Sequence, residues 1–302
     1  MQNMPWPRRP APHGAVGMLL RAGCVAGLWL GCATAQAAGT LWAYEGFQYA
    51  AGADVAGQAG GTGWADVWRS FPGESQVGSG LGYTDGAGRV LATTGGAMAA
   101  HAVYGSSIRY TQQTFGTPGS TVWLSFLQRN IDDVALAGYA TVGLGMPADQ
   151  RPGSFAGLAL GPGGSMRSGV GRINSSLLVT ARGNIAPLQS VLHVLRIDFD
   201  SAGDETLSLW RNPLLGADPG APDAAANFGD LLGDEPGGMS LFYSSAPASS
   251  SGFVFDELRI GSSYAAVTPL AAAVPEPQNW HFLALGLAML SLVKRRRPSP
   301  NV

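Results

Sequence analysis

Between Thr40 and about Thr268, short apolar or alternating runs are separated by clusters of Gly, Pro, Asn and Asp. This pattern has no helical period of any length and predicts many short β-strands joined by turns. We expect two stacked antiparallel sheets, that is, an all-β sandwich or jelly roll. The predicted strands are Leu41–Phe47, Arg89–Thr93, Ile108–Thr111, Thr121–Arg129, Tyr139–Leu144, Phe155–Leu160, Leu177–Ala181, Val191–Phe199, Thr206–Arg211, Met239–Tyr243 and Phe253–Ile260.

The composition supports this prediction. The 302 residues include 44 Gly and 20 Pro without a period of three, which is typical of many turns between short strands. The segment Asn212–Gly238, rich in Asp, Pro, Gly and Ala, is predicted to be a long surface loop.

Alternation along two predicted strands puts aromatic and hydroxyl side chains on the same face. Trp210 shares a face with Thr206 and Ser208, opposite two leucines, and Trp123 likewise lies opposite an apolar row. Aromatic rings interleaved with hydroxyls suit stacking against sugars, and they equally suit an outer sheet partly covered by a loop. Trp123 and Trp210 are therefore candidate glycan-binding residues.

Residues 1–37 are predicted to be a signal peptide, because Arg8-Arg9 precede an apolar run from Ala15 to Ala35 and the small-x-small site Ala35-Gln36-Ala37. Signal peptidase is accordingly an expected partner. Both cysteines, Cys24 and Cys32, lie in this segment, so the mature chain would hold neither a disulfide nor a thiolate metal site. Acylation of Cys32 and a twin-arginine route are the less favoured alternatives.

The last segment, 271–302, combines Val274-Pro275-Glu276-Pro277 with an uncharged apolar run and the cluster Lys294-Arg295-Arg296-Arg297. A helix from Gln278 to Val293 would span roughly 24 Å, less than the ~30 Å hydrocarbon core of a bilayer. The prolines prevent extension of the helix upstream, and the basic cluster holds its end on the cytoplasmic side. The segment therefore predicts a short, temporary membrane helix with the domain outside.

These three features, in this order at the C-terminus, resemble the PEP-CTERM sorting signal. The resemblance implies that Pro275, Glu276 and Pro277 are recognised by an exosortase, and that the host is a Gram-negative bacterium that makes extracellular polysaccharide. It also implies export through the inner membrane, transient anchoring there, and a final location at the cell surface or outside the cell. A linker followed by an ordinary tail anchor is the alternative.

Short strings in the middle of the chain resemble the concanavalin A-like, laminin-G-like jelly roll. They are Tyr44-Glu45-Gly46-Phe47, Gly60-Gly61-Thr62-Gly63-Trp64, Leu209-Trp210-Arg211-Asn212-Pro213 and Phe255-Asp256-Glu257-Leu258-Arg259-Ile260-Gly261. The resemblance implies that residues 38–270 form such a domain. Its relatives include lectins, glycan-binding modules and glucanases, so the fold implies no particular activity.

Charge is unevenly distributed along the chain. Of the 18 basic residues seven lie in the two terminal segments, whereas only one of the 20 acidic residues does, which leaves the middle with a net charge of −8. Because phosphate binding needs a clustered positive surface, we expect no nucleic-acid partner.

A retaining glucanase needs two carboxyls about 5 Å apart, and the sequence offers one weak pair. Asp198 and Asp200 alternate, but they begin the predicted turn of a hairpin between Val191–Phe199 and Glu205–Arg211. With Asp204 they also resemble the start of a calcium loop, although Ala202 replaces a ligand and no Glu closes the loop. Calcium is thus a weak candidate ion, and no other cofactor is expected.

Asp256 alternates with Val254, Leu258 and Ile260 and is predicted to share their face. If that face is the core, Asp256 must be hydrogen-bonded or bind a cation, and an acceptor for loop amides is favoured over a metal ligand. His101 and His193 are predicted to be packed or surface residues. No hydrolase, metalloprotease or phosphate-binding motif is present in the sequence.

The sequence therefore predicts an exported, exosortase-processed cell-surface or matrix protein that is not an enzyme, with extracellular polysaccharide as a candidate partner. One alternative is a glycan-cleaving enzyme of the concanavalin A-like glucanase class. Another is a structural surface protein without a ligand.

Overall fold

The computed structural model describes most of the chain between Gly39 and Ala272. The described residues are 39–70, 75–100, 106–115, 117–131, 138–145, 152–160, 166–172, 178–186, 188–200, 204–227, 238–245 and 252–272. The predicted signal peptide and the sorting segment, including Pro275–Pro277, Lys294–Arg297 and the predicted membrane helix, lie outside them, as does His101. Within these ranges, none of the helices has the length and apolar character needed to span a bilayer.

Fifteen strands and one short helix, α1 (Tyr264–Val267), are formed by the described residues. The strands are β1 (Leu41–Glu45), β2 (Arg69–Ser70), β3 (Ser75–Ser79), β4 (Gly96–Ala100), β5 (Ser106–Arg109), β6 (Thr121–Asn130), β7 (Gly138–Gly145), β8 (Pro152–Leu160), β9 (Met166–Arg172), β10 (Leu178–Thr180), β11 (Val191–Phe199), β12 (Glu205–Arg211), β13 (Ala224–Asn227), β14 (Gly238–Ser245) and β15 (Phe253–Gly261).

The strands form two antiparallel sheets. Sheet A has the order β13-β12-β11-β6-β15-β4-β3, with β1 paired to the second half of β15. Sheet B has the order β10-β9-β8-β7-β14-β5-β2. The predicted all-β sandwich of the jelly-roll class is thus confirmed.

The first hydrophobic core lies between the sheets. From sheet A it takes the apolar residues of alternating strands, among them Leu124, Phe126, Leu195 and Phe255, and from sheet B it takes residues such as Val170. Burying one such side chain stabilises the fold by about 1.5–3 kcal/mol, so this layer supplies much of the driving force for folding.

A second hydrophobic core covers part of the outer face of sheet A. It is built from Leu127, Leu192, Val194, Trp210 and Val254 of the sheet, and it is closed by residues of the connecting loops and of α1: Leu81, Tyr83, Leu91, Leu215, Tyr264 and Val267. Ser263 caps α1 by accepting the Ala266 N–H. Sheet A is therefore apolar on both faces over part of its area.

The predicted hairpin of β11 and β12 is confirmed, with Asp200 N–H donating to the Asp204 carbonyl at 2.8 Å. The predicted strand Arg89–Thr93 was wrong, because Val90 and Leu91 make only isolated bridges, to Thr84 and Leu270. Five strands were missed: β2, β3, β4, β9 and β13. They are short or rich in Gly, Ala and Ser, so pairing with neighbours rather than propensity makes them strands.

The predicted face of Asp256 was wrong for half of its strand. A β-bulge between Asp256 and Arg259 shifts the alternation, with Glu257 at a φ of 53°. Val254 and Asp256 consequently point to the outer face, whereas Leu258 and Ile260 point into the first core. One extra residue in a strand moves all later side chains to the opposite face.

Candidate functional site

A cleft of about 280 Å³ lies on the outer face of sheet A, next to the second core. Its floor is aromatic, and its lining residues are Trp123, Arg196, Trp210, Asp218, Pro219, Gly220 and Tyr264. The floor exists because three strands meet in register: Trp123 of β6 faces Arg196 of β11, which faces Ser208 of β12. Trp210, which pairs with Val194 two positions further along β11, lies diagonally across from Trp123.

The three aromatic rings of the floor pack against one another. The Trp123 and Trp210 rings are stacked with centroids 5.3 Å apart and planes at 26°, and Tyr264 meets Trp123 edge-on at 5.6 Å. Offset and edge-to-face pairs of this kind are favourable and fix the orientation of each ring. The floor is thus a rigid platform in which Trp123 is the partly exposed member.

Trp210 supports the platform from below. It is 5% exposed, and its indole N–H donates to the Gly220 carbonyl at 3.0 Å. The loop Asp218–Gly220 is thereby held over its ring. The structure brings both predicted glycan-binding residues to one site. Trp123 is partly exposed and available for direct contact, whereas Trp210 is covered by the loop.

Tyr264 completes the floor from α1. Burial raises the pKa of its phenol to about 12, so the hydroxyl stays protonated. This hydroxyl donates to the Leu214 carbonyl at 2.8 Å, which ties α1 to the loop after β12. Tyr264 therefore contributes its ring to the cleft and its hydroxyl to the fold.

The rim of the cleft is charged. Arg196 donates from Nε and Nη2 to Asp198 Oδ1, each at 2.9 Å, and its guanidinium lies 5.9 Å from the Trp123 ring centre. Asp198 Oδ1 also accepts the Thr121 hydroxyl at 2.7 Å. On the opposite wall, the exposed Asp218 accepts the Gly220 N–H at 2.9 Å. The rim thus combines hydrogen-bond donors and acceptors around an apolar floor.

The weak calcium candidates do not come together. Asp198 is engaged with Arg196 and Thr121, while Asp200 and Asp204 flank the β11–β12 turn. Over the described residues, no group of three His, Cys, Asp or Glu side chains is placed to hold a metal.

Asp256 is a buried acceptor for backbone amides. Its Oδ2 accepts the Leu81 N–H and its Oδ1 accepts the Glu257 N–H, both at 2.7 Å. Burial raises the pKa of this carboxyl to about 8 against the effect of the two N–H donors. These contacts give Asp256 the predicted loop-binding role.

The neighbouring Glu257 carboxyl is also filled by protein donors. It accepts from the Tyr44 hydroxyl, the Thr94 N–H and Arg259. Because its carboxylate oxygens are already engaged, it offers little to a ligand.

A buried ion pair joins the sheets away from the cleft. Glu45 of β1 and Arg109 of β5 are 0% and 2% exposed, and Arg109 lies over the Trp64 and Trp68 rings. Glu45 also accepts from the Phe47 N–H, the Tyr49 hydroxyl and the Trp68 indole. We assign this pair a structural role, since protein donors occupy the carboxylate.

His193, predicted to be packed or at the surface, is fully buried between the sheets. Its Nε2 lies 2.8 Å from the Ser168 hydroxyl of β9, and its ring stacks on Phe126. Burial lowers the pKa of the imidazole to about 3, so it is neutral at ordinary pH.

The sequence patterns did not identify three of the residues that line the cleft: Arg196, Asp218 and Tyr264. Arg196 lies in a predicted strand that is mostly apolar, and Asp218 lies in a segment that was predicted to be a loop. Alternation could have placed Arg196 beside Trp123, but no local signal places the 218–220 loop or α1 over that face.

No protein family and no curated protein matches the chain in sequence. The endo-β-1,4-glucuronan lyase of the fungus Trichoderma reesei is similar in fold, with a TM-score of 0.45 and 14% identity over 76% of this chain and 99% of the lyase. The alginate lyase Aly36B has a TM-score of 0.41 and 11% identity over 72% and 96%. The legume lectin-like domain from Entamoeba histolytica has a TM-score of 0.36 and 12% identity over 59% and 87%.

The expectation that this chain is not an enzyme is corrected by these neighbours. Two of the three are named as lyases and one as a lectin-like domain. The missing glucanase-type carboxyl pair argues only against a glucanase, because a lyase is a different class of enzyme. The sequence argument against an enzyme was therefore too narrow.

Proposed function

We propose that this protein associates with carbohydrate and holds a polysaccharide chain in the Trp123 cleft. The observation that carries the proposal is the preformed platform of Trp123, Trp210 and Tyr264, in which Trp123 is only partly buried and lines the cleft. Sugar rings have an apolar face that stacks on indole, and their hydroxyls need a rim of donors and acceptors such as Arg196 and Asp218 provide.

The rigidity of the platform supports this proposal further. A site whose rings are already packed loses little conformational freedom when a ligand arrives, which favours binding. The indole N–H of Trp123 makes no hydrogen bond with the other described residues, so it is a further donor for a sugar hydroxyl. The aromatic platform, the polar rim and the indole N–H together match the usual composition of a ligand site, which is a mostly apolar lining with a few placed polar groups.

Holding a polysaccharide is a step that lectins and glycan-cleaving enzymes have in common. The two lyase neighbours are named for glucuronan and alginate, and the proposal for this chain covers binding, with cleavage measured alongside. Oligosaccharide mixtures incubated with the purified protein are examined by mass spectrometry for shortened or unsaturated products. Products that vanish in a cleft variant would extend the proposal to catalysis.

The export, processing and final location of the protein are also part of the proposal. Residues 1–37 would direct export, and Pro275, Glu276 and Pro277 would be read by an exosortase while Lys294–Arg297 hold the tail in the inner membrane. Mass spectrometry of the mature termini in fractionated cells tests this. A secreted or surface form ending near Pro277 supports it, and a mature chain that retains Arg297 contradicts it.

Binding is tested with Trp123→Ala on a panel of polysaccharides and their oligosaccharides, measured by calorimetry. We expect binding to weaken about 5- to 150-fold, taking for a sugar the roughly 1–3 kcal/mol by which a nucleic-acid base stacks on an aromatic ring. The matched control is Tyr110→Ala, another partly exposed aromatic that lies beside Arg69 and is not part of the cleft. Equal binding by wild type and Trp123→Ala would refute the site.

A further inference from the structure

The charges around the cleft are not balanced. Among its lining residues, all within the described part of the chain, Arg196 is the only cation and Asp218 is an anion. Asp198 adds a second carboxylate, because it is the ion-pair partner of Arg196. The three groups together carry a net charge of −1, in a domain whose sequence between the terminal segments has more acidic than basic residues.

Arg196 is already engaged by protein. Two of its guanidinium nitrogens, Nε and Nη2, converge on Asp198 Oδ1. Bidentate recognition of a ligand carboxylate uses two parallel N–H groups of the same guanidinium. An acidic sugar could therefore use only the N–H groups of the guanidinium that Asp198 does not occupy, and the Asp198 carboxylate beside them would repel it.

Asp218 projects its charge towards the floor of the cleft. Its Oδ1 accepts the Gly220 N–H, so the carboxylate is held on the wall of the cleft that Tyr264 also lines. The second oxygen, Oδ2, remains available to accept a hydroxyl. A fixed carboxylate beside an aromatic platform accepts the hydroxyls of a neutral sugar and repels a uronate.

The neighbouring arginines do not compensate for Asp218. Arg211, which follows Trp210 in β12, donates from its two Nη atoms to the Gly183 and Arg182 carbonyls. Arg89 is paired with Asp85. Both guanidinium groups are held by protein partners, and neither residue lines the cleft.

We infer that the cleft selects neutral polysaccharide chains over polyuronates. The inference rests on the proposed function and adds the class of sugar that the site takes. Since Asp218 is solvent-exposed, its repulsion of a nearby carboxylate is modest, about threefold to tenfold in affinity at low salt. Salt at ~1 M, where the Debye length is about 3 Å, should largely remove the difference.

The test compares Kd values of the full-length protein for neutral oligosaccharides and uronate oligosaccharides of equal length at low and high salt. The best ligand of each class is used, with alginate fragments among the uronates. In Asp218→Asn we expect the ratio of the uronate Kd to the neutral-sugar Kd to fall about threefold, because the repulsion of the uronate is removed. Asp204→Asn is the control, since it removes the same charge at the exposed end of the β11–β12 hairpin.

The outcomes separate the two claims. Tighter binding of the neutral class, with a preference that falls in Asp218→Asn and not in Asp204→Asn, supports the inference. Equal or tighter binding of uronates by the wild type overturns it and leaves the proposed cleft intact. Binding of neither class overturns the proposed function and the inference with it.

Discussion

The two faces of sheet A differ in how they are closed. The inner face packs against sheet B across the first core, and even the charged groups there, Glu45 and Arg109, are buried and paired. The outer face is sealed by loops and by α1 over the second core, and it opens at Trp123. A face closed by loops leaves a boundary where apolar rings reach solvent, and this boundary is the cleft.

The difference indicates which side chains serve the fold and which remain available. On the inner face, polar groups such as Glu45 and His193 are held by protein partners. On the outer face, Arg196 and Asp218 keep donors and acceptors free at the rim. The following predictions test this division, beginning with the largest expected effect.

Breaking the inner ion pair should cost the most. Glu45→Ala leaves the Arg109 guanidinium buried without its partner, and we expect unfolding to become easier by about 3–5 kcal/mol in urea titrations. Arg69→Ala removes one end of the exposed Asp66–Arg69 pair and should change stability by less than about 1 kcal/mol. Similar losses in both variants would contradict the description of a sealed inner face.

Removing the buried Trp210 ring of the outer face should cause the second largest loss of stability. Trp210→Ala opens a cavity in the second core, and we expect a loss of about 3 kcal/mol. Trp123→Ala, at the open side of the same stack, should lose clearly less. If the two variants have equal urea midpoints, the two tryptophans are not divided into a supporting and an exposed ring as the structure shows.

Asp256 should give stability an unusual dependence on pH. Its pKa is raised to about 8 in the folded protein, so between about pH 4 and pH 8 the folded state holds a proton that the unfolded state releases. The free energy of unfolding should therefore fall as pH rises through this window. Asp256→Asn should reduce the slope. Asp256→Ala should remove it as well, and below about pH 4, where the carboxyl is protonated in both states, it should cost about 1–3 kcal/mol because two amides lose their acceptor. An unchanged slope in Asp256→Asn would refute this.

Asp85 should make the free energy of unfolding change with pH in the opposite direction, and over a narrower pH range. Desolvation would raise its pKa, but the Arg89, Leu215 and Ala87 N–H groups and the Arg89 side chain hold the pKa at about 2. Its contribution is present above about pH 4 and is lost as pH falls towards 2. Asp85→Asn should flatten the acid limb of the stability curve, and a limb identical to that of the wild type would contradict the assignment.

The inner face was largely predictable, because it depends on local alternation. Val191–Phe199 was predicted with its observed bounds, and the sandwich followed from such runs. The outer face was only partly predictable. Alternation placed Trp123 and Trp210 each on the polar face of its own strand. The strand pairing that brings the two rings together, the bulge at Asp256 and the packing of α1 are set by tertiary contacts that leave no periodic signal.

The most direct test of the account follows the indole N–H signals of the folded protein by NMR during titration with a neutral oligosaccharide. We predict that the Trp123 signal, assigned by its loss in Trp123→Phe, shifts most and saturates with the binding curve. The Trp210 signal should shift less, because its N–H is bonded to Gly220. Saturable binding that leaves the Trp123 signal unmoved would contradict the account.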